Sequence, residues 1–142
     1  MKQFIFLITL SLLYCVKANA QADTAHSNRY IDIHVMQPGK VKFADVATAH
    51  KKDLAVQRKF NVDFLKYWVD EKNGIIYCLS TAPDSGRIRK THQEAHGLLP
   101  TDILKVTEGM AGQEKARKRY FIDVHEFGAG NVKAADVAIA HE

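Results

Sequence analysis

Two stretches of the chain, VKFADVATAHK at 41–51 and VKAADVAIAHE at 132–142, run alike to the same histidine. Shifted by 91 positions, residues 31–51 and 122–142 align without a gap, and twelve of the twenty-one positions are identical. The identities include Ile31, Asp32, His34, Gly39, Asp45 and His50, which return as Ile122, Asp123, His125, Gly130, Asp136 and His141. A period of 91 is too long for a solenoid repeat of about 20–50 residues, so the pattern is that of a duplicated small domain. One unit spans 30–110, a polar and basic linker follows at 111–119 (AGQEKARKR), and 120–142 carries the start of a second, truncated copy. A lone strand and part of a helix cannot bury their apolar faces. The expectation is therefore that the sequence is a fragment of a longer protein.

The first unit reads as alternating elements. YIDIHVM alternates with period two and is ended by Pro38-Gly39. Ile31, Ile33 and Val35 point one way, and Tyr30, Asp32, His34 and Met36 the other. FADVATAHKKDLAVQRKF spaces its apolar residues as a helix does. VDFLKYWVD and IIYCLS are strand-like and are separated by an Asn-Gly turn, hence a hairpin. DSGRIRKTHQEAHG begins with an Asp/Ser cap and stops at Gly97, which marks a second helix. DILKVTEG is the last strand. The order βαββαβ is that of an α+β, ferredoxin-like unit with a four-stranded antiparallel sheet. Both helices cover one face of such a sheet, and this reading assigns Tyr30, His34 and Met36 to the open one. An open apolar face calls for a lid. A second unit, from a homodimer or from the tandem copy, supplies it in the manner of a dimeric α+β barrel.

The first twenty residues form a signal peptide: Met1-Lys2, an apolar run from Phe4 to Val16, and Ala18-Asn19-Ala20. The run is short for a membrane span of about 20 residues, so no span is expected after cleavage. Tyr14 before Cys15 does not fit a lipoprotein site. Residues 21–29 are a polar, mobile lead-in. The mature chain is expected in the periplasm or secreted. It keeps one cysteine, Cys78, and so has no internal disulfide. Loss of Lys2 and Lys17 lowers the formal net charge from +4 to +2, too little to argue for nucleic acid or an anionic surface.

Six of the seven histidines fall in the repeated units. His34 closes the first strand motif. His50 and Asp53 lie three residues apart on the first helix. His92 and His96 lie one turn apart on the second, so both rings can reach one ion. Asp32 and Glu94 are further oxygen donors nearby in sequence. Taken singly, each histidine is more simply a packed side chain or, for His96, a helix-end cation. Taken together, they point to a metal. Imidazole with carboxylate fits nickel, zinc, copper or iron, whereas calcium and magnesium want oxygen donors. Cys78 reads as a small buried hydrophobe rather than a ligand.

DIH, AHKKDL, YCLSTAPD and THQEAHGLLPTDILKVTEG resemble the small nickel-binding, nickel-responsive proteins formerly classed as a domain of unknown function. The likeness covers about 30–110 and restarts at 120. It implies a ferredoxin-like fold, dimers, Ni2+ as the ion (Zn2+ or Cu2+ as alternatives), and His34, His50, Asp53, His92 and His96 as the metal ligands. The function expected is an exported protein that binds or sequesters the ion without turnover. Two other readings stay open. One is a small-molecule-binding or catalytic α+β-barrel domain with His34 on the open face as general base; the other is a structural interaction module. The chain has no nucleophile–base–orienter set and no phosphate-binding glycine loop. GIIYCLS lacks the basic, aromatic pattern of RNA-binding strands.

Overall fold

The central strand β1 runs Asn28–Val35 and is flanked on both sides by antiparallel partners. The computed structural model describes residues 27–109, 112 and 120–141. The signal peptide, most of the lead-in and all of the linker except Gly112 lie outside the described residues. After β1 come helix α1 (Phe43–Val56), a 3-10 turn (Gln57–Phe60), β2 (Asp63–Asp70), β3 (Ile75–Ala82), α2 (Ser85–Ala95) and β4 (Asp102–Val106). The sheet order is β2-β3-β1-β4, all antiparallel, which is the ferredoxin-like arrangement.

Local chemistry fixes the ends of the elements. α1 has no side-chain cap of its own at Lys42. Glu71, in the β2–β3 turn, accepts from Phe43 N at 2.8 Å and from Lys42 Nζ at 3.2 Å, so a neighbouring element does the capping. The 3-10 turn stops at Asn61, whose φ of 54° is left-handed, a conformation Asn tolerates better than most residues. Asp84 caps α2 by accepting from Arg87 N at 3.0 Å. Gly97 (φ +77°) ends the helix, its N–H bonding back to His92 O at 2.9 Å. Gly74 allows the hairpin turn to meet the end of β1. Met36 N donates to Gly74 O at 2.7 Å, and a Cβ there would lie 2.6 Å from Met36 O.

The covered face of the sheet is the reverse of the one expected from the alternation. Tyr30, Asp32 and His34 are buried beneath the helices, while Ile31, Ile33 and Val35 lie on the open face. Their paired neighbours Trp68, Tyr77, Leu79 and Leu104 share that face. A period-two pattern separates two sets of side chains but does not say which set meets the helices. The polar set is inward because it has buried partners; the apolar set is outward, with Val35 59% and Leu104 44% exposed.

The interior is therefore divided. Tyr30, Val62, Phe64, Ala82 and Ile88 form one apolar cluster, and Val41, Val46, Ile76 and Cys78 another. Along β1 the polar pair Asp32 and His34 falls between Tyr30 of the first cluster and Met36, which packs on the second.

Beyond the unit, α3 (Ala134–Ala140) occupies the positions that repeat Phe43–Ala49 of α1. Residues 120–127 are not in a strand, and the side chains from 120 to 141 are exposed. Among the described residues no helix is long and apolar enough to cross a membrane.

Candidate metal centre

Three elements deliver side chains to one place. β1 supplies Asp32 and His34, two residues apart and so on the same face of the strand. α1 supplies Asp53, α2 supplies His92, and His96 follows four residues later at the C-cap of α2. Asp32 is 0%, His92 1%, Asp53 3% and His34 4% exposed. Buried charges of this kind are costly unless they are paired or hold a metal.

His92 is the hub. Its Nδ1 donates to Asp53 Oδ1 at 3.0 Å, and its Nε2 lies 3.4 Å from Asp32 Oδ1. His34 Nε2 donates to the same Asp32 oxygen at 3.1 Å. His96 Nε2 lies 3.3 Å from His92 Nδ1 and 3.3 Å from Asp53 Oδ2. Two donor sets result, Asp32/His34/His92 and Asp53/His92/His96, each with its ligand atoms all within 4.8 Å of one another. The His34 and His92 rings meet edge to face at 5.1 Å. The Asp-x-His contact is a local property of the motif: Asp123 and His125 form it again at 3.0 Å, though exposed.

The electrostatics follow from this crowding. Burial alone would lower the basicity of His92, but carboxylates at both ring nitrogens raise its pKa to about 9. Burial opposes the ionisation of Asp32, yet His34 and His92 hold it below the usual carboxylate range. Burial also dominates at His50 and His96 and lowers both, against the pull of Asp53. The Cys78 thiol is pushed far up by burial and by Asp32 and Asp53, so it stays protonated and is a poor ligand.

The cluster thus buries the ionised Asp32 against the protonated His92, with Asp53 as a second carboxylate at the other ring nitrogen. Asp32 Oδ2, His34 Nδ1 and His92 Nε2 are buried without hydrogen-bond partners. Such orphaned polar atoms are rare in a folded interior. A divalent cation that displaces the His92 proton would use the freed lone pair together with the carboxylates and the other imidazoles, so the residues fit a metal with imidazole and carboxylate ligands. His96 carries one constraint. Its Nδ1 accepts from Leu98 N at 3.1 Å, which places the ring proton on Nε2; ligation through Nε2 requires that bond to be given up.

Of the five residues expected as ligands, His34, Asp53, His92 and His96 stand together. His50 is set apart: it lines the same cavity, with its ring 4.7 Å from that of Tyr67 and 6.0 Å from that of Phe64, and it belongs to neither donor set. Glu94 points elsewhere, with its Oε2 2.6 Å from Lys59 Nζ on the surface. Asp32, named from sequence only as an oxygen source, sits at the centre of the first set. The signal for it was present, since Asp-x-His is repeated intact at 123–125. His34 is not on the open face, where the general-base role was placed, but is buried under the helices and lines the cavity.

Residues 30–106 match the family described as "Nickel responsive protein SCO4226-like". The chain belongs to this family. A solved structure, that of SCO4226 from Streptomyces coelicolor A3(2), is similar at 32% identity with a TM-score of 0.54. The likeness covers 58% of this chain and 99% of that one. No curated protein matches the chain. The family match spans β1 to β4, and with them every residue of both donor sets.

Proposed function

We propose that this is an exported metal-binding protein that holds Ni2+, with Zn2+ or Cu2+ as the alternatives, and sequesters or carries it without turnover. The observation that carries the reading is the burial of two aspartates among three imidazoles with orphaned donor atoms. The ion is held by one of the two donor sets, drawn from Asp32, His34, Asp53, His92 and His96, and His50 stands on the cavity wall. Nickel is supported by the description of the family, and export by the basic start, apolar run and Ala-x-Ala of residues 1–20. The apolar open face supports a second βαββαβ unit as partner, in the same chain or another. The repeat of residues 31–50 at 122–141 is the reason to choose that partner.

The test is metal analysis of residues 21–142 purified without a histidine tag, followed by melting with added nickel. Retention of nickel and a rise in Tm are expected. Saturation at 100 times Kd stabilises by about 2.7 kcal/mol. Absence of bound metal and an unchanged Tm would remove the reading.

A further inference from the structure

The donor sets do not sit in a closed cage. They form the inner end of a cavity of about 400 Å3 between α1, α2 and the sheet, reached by His34, Asp53, His92 and His96. Each set gives an ion three protein donors. Transition ions with such ligands take four to six, so an ion held by one set has coordination positions left for a further ligand. Waters completing a shell take about 30 Å3 of liquid each. The cavity is many times larger and lies within the range of small-molecule sites, about 300–1,000 Å3.

The walls are not those of a water-filled chamber. Met36, Val41, Val46, Ala49, Ile76 and Leu98 make them apolar, and water in such a space finds few partners. The exposed lining residues Gln37, Lys40 and Asp45 mark the mouth. Among the described residues the Lys40 ammonium has no hydrogen bond or ion pair. The cavity thus combines an open-sided metal, an apolar wall and an uncommitted cation at the entrance.

We infer that the cavity takes a small chelating carboxylate, an α-amino or α-hydroxy acid with an apolar side chain, as co-ligand of the bound ion. This rests on the metal reading above. The chelating N,O or O,O pair completes the coordination of the ion, the apolar side chain lies against Val41, Val46 and Ala49, and Lys40 attracts the carboxylate. The ion would then be held as a ternary complex rather than as a bare or hydrated cation.

Equilibrium dialysis of nickel-loaded and metal-free residues 21–142 against radiolabelled L-leucine tests this, with nickel and leucine measured in the same cell. About one leucine per nickel-loaded chain is expected, and none on the metal-free chain. Ala49→Phe occupies cavity space and replaces no donor residue, and it should abolish leucine retention while the nickel content holds. Lys40→Gln, in an exposed loop, should weaken retention about tenfold. The proposal is overturned if nickel stays bound but leucine does not, if leucine strips the nickel, or if leucine binds equally without metal. If no nickel is retained in either cell, the metal reading falls with it, and the nickel measurement separates the two failures.

Discussion

Nickel and a proton compete for His92. With a pKa near 9, the ring is protonated at pH 7 and neither nitrogen can bind a metal. Two pH units below that value, about one ring in a hundred is neutral. The apparent nickel affinity at pH 7 is then about a hundredfold below its value well above pH 9. Between pH 7 and 8.5 the affinity should rise about tenfold per pH unit, with about one proton released per ion at pH 7. Burial holds His50 and His96 low, so they add nothing above pH 7. Asp32 is already ionised. Calorimetric titration at pH 7 in two buffers of different ionisation enthalpy counts the protons directly. His92→Gln, which can still donate to Asp53, should lose both the release and the slope. Wild-type binding that releases no proton, with an affinity flat from pH 7 to 8.5, would refute the central role given to His92.

The same shift sets the stability of the metal-free protein. A folded pKa raised above the unfolded value of about 6.5 gives stability that is full below pH 6.5 and lost as pH rises through about 9. The loss is on the order of 3 kcal/mol, read by urea unfolding at pH 6 and pH 9.5 after chelation. Asp32→Asn keeps the shape but removes the carboxylate shared by His34 and His92, so nickel affinity should fall by about 10- to 100-fold or more in competition with a chromophoric chelator. Gly74→Ala sets a Cβ 2.6 Å from Met36 O at a φ of +74° and should cost about 1–3 kcal/mol in urea unfolding, with the nickel content unchanged.

Much of the unit could be read from its pattern. The Asn-Gly turn placed the β2–β3 hairpin, and Asp84 and Gly97 bounded α2, because turn and cap chemistry is local. The orientation of β1 was not legible. Alternation sorts Tyr30, Asp32 and His34 from Ile31, Ile33 and Val35, and the usual rule sends the polar set outward. Here Asp32 and His34 have a partner 58 to 60 positions away, His92 on α2, which no local rule contains. The same gap hid the place of Asp32 at the centre of the cluster. His50 looked equivalent to Asp53 on the helix, but three residues leave the two about 60° apart around its axis, and the His50 ring packs on Tyr67 instead.

The most direct measurement is nickel K-edge X-ray absorption on the loaded chain. Imidazole scattering from at least two histidines, nitrogen and oxygen neighbours and no sulfur shell is the predicted spectrum, since each donor set holds two histidines and one aspartate and Cys78 belongs to neither. A spectrum of hydrated nickel without imidazole, or one with a sulfur neighbour, would contradict it.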